Sequence, residues 1–238
     1  MMILRLTLFA ALVAGFCPGP PARAQTDETA PREPQLTVSL ISWQDTLSDL
    51  FVGGDTGPGA LPASAPEFAL GSGITFPRHG STVVIFRRQL VEGEQRTVIL
   101  ARAEVPQAQE QVIILLAPAP AGSAQPFQSR VLDDSPDAHP AETIRLFNYS
   151  SRFLALRIGQ ETFNGAPGSE RLFSYTKAGA PRIFFQLAAQ TDDGWKMVRR
   201  YLQAVPKGRR LLCIVRDGRP VQFQDAPPEI VDAVFILR

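Results

Sequence analysis

The sequence predicts an all-β protein made of two tandem antiparallel β-sandwich domains of the Ig-like class. The first observation behind this prediction is an internal repeat, because residues 36–53 return as residues 142–159 at a constant offset. The second is a series of short β-branched segments, spaced about 8 to 12 residues apart and separated by turn-forming residues. None of the longer segments shows the periodicity of an amphipathic helix. A repeat unit of about 100 residues has the size of a small domain, so a duplicated domain is expected.

The two copies begin with matching strands. The shared positions are Leu40, Trp43, Leu47, Leu50, Val52 and Gly53, which correspond to Leu146, Tyr149, Phe153, Leu156, Ile158 and Gly159. Each copy opens with an alternating strand, and its second strand ends at the shared glycine, where we expect a turn with positive φ. Trp43 and Tyr149 hold one repeat position, and we interpret them as core aromatics, with a ligand-stacking platform as the alternative.

The copies match again after a loop rich in Gly, Pro and Ser. Residues 82–86 and 181–185 are apolar without alternation, which predicts central strands covered on both faces. Turns follow at residues 92–93 and 192–194, and each returning strand ends at a Val-Pro pair.

The remaining strands set the domain boundaries. Residues 112–116 match residues 211–215, and residues 131–136 match residues 221–227. The terminal segment 231–238 resembles the opening strand of each copy, which predicts a third partial copy that closes the second domain. The predicted domains are therefore residues 36–140 and 141–238, with a boundary near His139 and Pro140.

The first residues carry the features of a secretory signal peptide. Arg5 precedes the apolar run 6–16, and Ala22, Arg23 and Ala24 form a small-x-small cleavage site before Gln25. A run of 11 apolar residues is too short for a membrane anchor, which needs about 20. Lipidation at Cys17 is disfavoured by the residues before it. We therefore expect a signal peptide at 1–24, a flexible leader at 25–35 and a periplasmic or extracellular protein without a transmembrane segment.

The single cysteine of the predicted mature chain argues against an intrachain disulfide. Cys213 lies among Leu211, Leu212, Ile214 and Val215, a setting typical of a buried, unreactive thiol.

Charge divides at the predicted domain boundary. Residues 25–140 contain 7 Lys or Arg and 14 Asp or Glu, whereas residues 141–238 contain 15 and 9. Opposite charges favour head-to-tail self-association or binding of an envelope protein or acidic glycan, although ordinary solvated strand faces explain them too. The candidate contact residues are Trp195, Arg199, Arg200, Lys207, Arg209 and Arg210. Nucleic acid is not expected, because aromatic residues are not interleaved with these basic ones.

Residues with catalytic or ligating chemistry are few, and no cofactor motif is present. Asp133, Asp134 and Asp137, followed by His139, are weak candidates for calcium, and an interdomain turn is the simpler interpretation. His79 could act as a catalytic base, but the sequence contains no nucleophile motif of a hydrolase to partner it. Asn148 begins an N-x-S acceptor sequence, but its place at a strand end favours a structural role.

Residues 144–150, followed by residues 156–159, resemble the opening hairpin of exported bacterial β-domain proteins of unknown function. They are also similar to the accessory β-domain proteins of alginate acetylation. The resemblance implies an exported β-fold and supplies no catalytic residue. The predicted function is a non-catalytic binding or scaffolding component of the cell envelope. The alternatives are a periplasmic accessory factor in polysaccharide export or modification, and an enzyme with a site near His79 or in the loop from Asp133 to His139.

Overall fold

The computed structural model describes residues 33–175, 182–205, 207–218 and 231–237, and its regular secondary structure there consists of strands alone. No helix capable of spanning a membrane occurs in this part of the chain. The predicted signal peptide and residues 25–32 of the predicted leader lie outside the described residues.

Sixteen strands are assigned in the described residues, and we divide them into a first half, β1–β8, and a second half, β9–β16. The first half comprises β1 Gln35–Ser42, β2 Leu47–Gly53, β3 Leu61–Ala65, β4 Ile74–Pro77, β5 Thr82–Val91, β6 Glu94–Glu104, β7 Gln111–Pro118 and β8 Phe127–Asp133. The second half comprises β9 Thr143–Asn148, β10 Leu154–Ile158, β11 Glu161–Gly165, β12 Glu170–Ser174, β13 Arg182–Thr191, β14 Gly194–Ala204, β15 Leu211–Asp217 and β16 Val231–Leu237.

The strands form four four-stranded sheets whose order in the second half follows that in the first. We call β4-β1-β7-β8 and β12-β9-β15-β16 the junction sheets, and β3-β2-β5-β6 and β11-β10-β13-β14 the outer sheets. In each half one hydrophobic core takes residues from all eight strands, so the fold is sandwich-like.

The sheets are mainly antiparallel, but the prediction of purely antiparallel sheets is wrong at one pairing in each half. β1 pairs in parallel with β7, and β9 pairs in parallel with β15. Parallel neighbours need a long crossover connection, which β2–β6 and β10–β14 provide. The sequence pattern of a strand does not report the direction of its neighbour.

A third hydrophobic core joins the two junction sheets. Its fully buried residues form four equivalent pairs, one member from each half: Ile41 and Phe147, Ile113 and Leu212, Leu115 and Ile214, and Leu132 and Ile236. The outward faces of the junction sheets are therefore removed from water by each other, and the described residues from Glu33 onward group as one compact unit.

Several sequence predictions can be compared with the strands. The hairpin turns at residues 92–93 and 192–193 are present, and Val105 and Val205 follow the strands predicted to end there. Gly159 has the expected positive φ of 59°. The same expectation for Gly53 is wrong: this glycine is instead limited by space, because a Cβ there would lie 3.1 Å from Ala60 Cα.

The short strands β3, β4, β11 and β12 were not predicted. Each lies at the edge of its sheet, where a proline is tolerated and pairing is one-sided. β16 pairs antiparallel with β15 and completes the second junction sheet. β8 holds the corresponding place in the first half. The terminal strand β16 is therefore the equivalent of β8 and not of the opening strand β1, so the prediction of a third partial copy is wrong. The predicted match of residues 221–227 lies outside the described residues.

Candidate functional site

The outer sheet of the first half is covered on its outer face by the loop between β2 and β3. Ala60, Val84 and Phe86 are buried there in one cluster, and the Phe51 and Phe86 rings stack at 5.6 Å. The Arg88 guanidinium lies 4.4 Å from the Phe51 ring and donates a hydrogen bond to the Gly57 carbonyl at 3.4 Å. The loop thus removes an apolar sheet face from water.

The outer sheet of the second half has no such cover. β10 and β11 are joined by Gly159 and Gln160 alone, too few residues to fold over the face. Strand register places Trp195, Met197, Arg200 and Leu202 on this face, and the three apolar side chains are 54%, 55% and 60% exposed. We call this surface the open face.

The difference between the halves is visible in the central strands. Val83, Val84, Ile85 and Phe86 of β5 are all buried, which confirms the prediction of a strand covered on both faces. The same prediction is wrong for β13, in which buried and partly exposed residues alternate from Ile183 to Ala189. The apolar run in β13 therefore reaches the surface because its half lacks the covering loop.

The open face has the composition of a contact surface. Phe184 lies on it, with the Arg200 guanidinium 5.3 Å from its ring, and Arg157 extends the positive charge across β10. A shallow depression of about 210 Å³, lined by Ala155, Arg157 and Met197 among others, lies at its centre. Apolar and aromatic side chains next to arginine are enriched in protein interfaces.

The structure separates the six candidate contact residues that the sequence suggested. Trp195 and Arg200 share the open face, whereas Arg199 pairs with the core residue Leu187 and is half-buried. Lys207 and Arg209 are exposed in the turn after β14, at the opposite end of that strand from Trp195. Met197, Leu202 and Phe184 were not identified from the sequence. Met197 and Leu202 are five residues apart and reach the same face because the β13–β14 register shifts between Leu187 and Ala188, which strand alternation alone does not predict.

Arg210 belongs to the connection between the halves. Its guanidinium donates hydrogen bonds to the carbonyl oxygens of Asp134, at 2.8 Å, and His139, at 3.2 Å. Its Nη1 lies 3.7 Å from Asp134 Oδ1, and both Asp134 and His139 are 1% exposed. Burial, reinforced by the positive charges of Arg210 and Arg145, lowers the pKa of His139 to about 4. This cluster fixes the linker between β8 and β9.

The weak calcium candidates have different surroundings. Asp133 Oδ1 accepts a hydrogen bond from the Ser135 amide at 2.9 Å, Asp134 is buried, and Asp137 is exposed. No group of three or more potential metal-ligating side chains occurs among the residues that the structure describes. Asp133 and Ser135 form a turn, which agrees with the simpler interpretation of this segment.

His79 is exposed in the loop between β4 and β5. Its neighbours have structural partners: Arg78 donates to five backbone carbonyls, and Ser81 and Thr82 donate to the Glu104 carboxylate. These two hydrogen bonds lower the pKa of Glu104. Ser81 is thus committed to Glu104 rather than to His79.

Two further sequence interpretations concern buried residues. Cys213 is fully buried in the second core, as predicted. Asn148 is also buried, and its side-chain amide donates to the carbonyls of Arg152, Gly165 and Ala166. Such an asparagine ties the end of β9 to two loops, which agrees with the predicted structural role.

The chain matches no protein-family model and no curated protein sequence.

Proposed function

We propose that this chain is an exported, non-catalytic component of the cell envelope that binds or scaffolds another protein through the open face. Its halves are, in this proposal, two tandem Ig-like β-sandwich domains that arose by duplication. The repeated sheet order and the repeated sequence segments support the duplication. The sequence features of residues 1–24 support export.

The observation that carries the proposal is the contrast between the two outer sheets. The first half buries Phe86 beneath its own loop, while the second half leaves Trp195, Met197 and Leu202 in water. Burial of apolar surface contributes roughly 25 cal/mol per Å², so this exposure is costly for an isolated protein. A partner that covers the open face supplies what the loop supplies in the first half.

The chemistry of the open face defines the partner. Arg157 and Arg200 accompany the exposed apolar residues, so the complementary surface is apolar and acidic. The first half of a second copy is one such surface, since it carries the excess of Asp and Glu. Contact between unlike halves of two copies would be heterologous and would propagate from head to tail.

Site-specific photocrosslinking tests the proposal. A photoreactive amino acid at position 197, in the mature chain added to an envelope extract, is expected to give a discrete protein adduct whose yield falls at high salt. The same amino acid at position 90 is the matched control, because Leu90 is exposed on the equivalent hairpin of the first half. The proposal is contradicted if no adduct is specific to position 197. It is also contradicted if the Leu202→Ser, Arg200→Ser double variant gives the same yield of that adduct.

The size of the adduct identifies the class of partner. An adduct of twice the chain mass, together with salt-sensitive oligomers in sedimentation velocity, indicates self-association. An adduct with another envelope protein indicates scaffolding of that protein.

A role in polysaccharide export or modification is the second candidate, favoured by the resemblance of residues 144–150 and 156–159. In this candidate the open face is still the contact surface, and the protein it binds belongs to the machinery of polysaccharide export or modification. Deletion of the gene, followed by measurement of the yield and acylation of the exported polysaccharide, tests it. The geometry gives no comparable support to an enzyme, because His139 is buried and the described neighbours of His79 are engaged elsewhere.

A further inference from the structure

A second candidate site lies between the halves, away from the open face. It is a cleft of about 520 Å³ whose lining includes Trp43, Arg130, Gln128 and Tyr149. Trp43 and Arg130 belong to the first half and Tyr149 to the second, so the cleft exists only where the junction sheets meet. Its volume lies within the range of about 300 to 1,000 Å³ that is typical of small-molecule sites.

The walls of the cleft are aromatic and cationic. The rings of Trp43 and Tyr149 lie 5.1 Å apart at an interplanar angle of 54°. The Arg130 guanidinium lies 4.8 Å from the Tyr149 ring and 5.4 Å from the Phe147 ring. The Arg130 guanidinium therefore lies within cation–π distance of both rings.

Two polar groups of the cleft have unused hydrogen-bonding capacity. Within the described residues, no side chain or carbonyl accepts a hydrogen bond from Arg130, and the buried Tyr149 hydroxyl has no partner. Burial raises the pKa of Tyr149, so this hydroxyl stays protonated and remains a donor. Buried donors are normally satisfied in native proteins. The Tyr149 hydroxyl itself is shielded from the cleft, so an acceptor group of a ligand would be held by the N–H groups of Arg130.

The charge near the cleft favours an anion. Glu170 is the acidic residue that influences Tyr149, and its carboxylate is already paired with Arg145 at 2.5 Å. Arg130 lines the cleft and therefore contributes positive charge to its wall. A carboxylate matches a guanidinium with free N–H donors in both charge and geometry.

We propose that this cleft binds a small compound in which a carboxylate is attached to a six-membered ring. The carboxylate accepts hydrogen bonds from Arg130, and the ring packs against the aromatic wall formed by Trp43 and Tyr149. An aromatic acid and a sugar acid share this chemistry. The experiment below distinguishes them, and its result is independent of the open face.

Tryptophan fluorescence offers a direct measurement, because the chain has two tryptophans. In a Trp195→Phe background Trp43 is the remaining one, so its emission reports on the cleft. The probes are benzoate and glucuronate, each compared with a neutral counterpart, benzyl alcohol or glucose, and with acetate as a carboxylate without a ring. We expect one of the two acids to change the Trp43 emission in a saturable way. Its neutral counterpart should bind at least about 10-fold more weakly, and acetate should also bind more weakly.

Variants test the assignment of each group. Arg130→Gln is expected to weaken binding of the effective acid by about 10-fold or more, and Tyr149→Leu, which removes the ring from the aromatic wall, by about 3- to 10-fold. Arg96→Gln, an exposed arginine of β6, is the control and is expected to change nothing. Denaturant unfolding of each variant verifies that it is folded. The proposal is overturned if neither acid changes the emission at concentrations up to about 10 mM, if acetate binds equally well, or if Arg130→Gln and Arg96→Gln behave alike.

Discussion

The rings of Trp43 and Tyr149 contact each other across the junction, with their centroids 5.1 Å apart. These two residues hold the same position in the internal repeat, at an offset of 106 residues. Contact between equivalent residues is the property of an isologous interface, and the junction core likewise takes both members of four equivalent pairs. The two halves therefore pack as two subunits of a symmetric dimer do, although they belong to one chain.

This contact predicts a measurable coupling between the halves. Trp43→Ala and Tyr149→Ala are each expected to lower the free energy of unfolding by about 2 to 4 kcal/mol, because each removes a large, half-buried ring. The double variant should lose less than the sum, with a coupling energy of about 0.5 to 1.5 kcal/mol. Denaturant unfolding of the four proteins measures it. The pair Trp43→Ala and Phe153→Ala is the control, since Phe153 is 53% exposed, and additivity for Trp43 and Tyr149 as well would refute the coupling.

The covering loop predicts that outward-facing phenylalanines of the two outer sheets differ in their contribution to stability. Phe86 is fully buried beneath the loop, whereas Phe184 lies on the open face. Phe86→Ala should lower the free energy of unfolding by about 3 to 5 kcal/mol. Phe184→Ala should lower it by about 1 kcal/mol or less. Equal losses in chemical denaturation would show that the open face is not open in solution.

The sequence was most informative where strand pattern alone decides the structure. The alternation at Val38 and Leu40, and the turns at residues 92–93 and 192–193, required no knowledge of distant contacts. The sequence was least informative about which faces of the sheets are exposed to solvent. Residues 82–86 and 181–185 look equally apolar, and what distinguishes them is a loop of seven residues in the first half that the second half replaces by two.

The candidate sites were even harder to predict, for a related reason. Trp43 and Tyr149 were identified as equivalent aromatics, but equivalence in a repeat does not imply contact. The cleft needs both rings and Arg130, which lie on three strands or strand ends brought together by packing of the junction sheets. Likewise, Arg210 was grouped with Arg209 by adjacency, whereas successive residues of an extended segment point in opposite directions.

Replacement of Asn148 by aspartate is expected to destabilise the protein strongly, although the two side chains have nearly the same size and shape. Its amide nitrogen donates to three carbonyls, and its Oδ1 accepts from the Ser150 amide, at 3.0 Å, and hydroxyl, at 2.7 Å. Asn148→Asp removes the donors and faces the carbonyls with a buried carboxylate. We expect a loss of about 3 kcal/mol or more in the free energy of unfolding.

The exposed Asn164→Asp substitution is the matched control for Asn148, with an expected change within about 0.5 kcal/mol. Similar unfolding midpoints for the two variants would contradict the structural role of Asn148. The same burial predicts that a glycosylating host leaves Asn148 unmodified, which mass spectrometry of the intact protein measures.

We expect the replacement of Arg78 by lysine to destabilise the protein, although it keeps the positive charge. Its guanidinium donates to the carbonyls of Val105 and Gln109 at 2.6 Å, and to those of Pro106, Gln107 and Gly80. Lysine has one nitrogen and cannot span these acceptors. Arg78→Lys should lower the free energy of unfolding by about 1 to 3 kcal/mol, whereas Arg96→Lys should have no measurable effect. A neutral result at Arg78 would mean that water replaces the guanidinium without loss.

His139 predicts that the protein loses stability in mild acid. Its pKa is about 4 in the folded chain, because the side chain is buried and faces Arg210 and Arg145, with Asp134 Oδ1 at 3.9 Å from its Nδ1. An unfolded histidine has a pKa of about 6.5. As the pH falls from about 6.5 to 4, the unfolded chain therefore takes up a proton that the folded chain does not. The free energy of unfolding falls in this window, and the contribution of His139 reaches at most about 3 kcal/mol.

Urea unfolding at a series of pH values separates this contribution from that of the carboxyl groups. His139→Gln cannot titrate, so its unfolding free energy should fall less steeply than that of the unmodified chain between pH 6.5 and 4. His79→Gln is the control, because His79 is exposed, and it should keep the steep dependence. If the slopes of all three proteins coincide, His139 takes up its proton as readily in the folded chain as in the unfolded one, and the buried cluster with Asp134 and Arg210 does not exclude the charge.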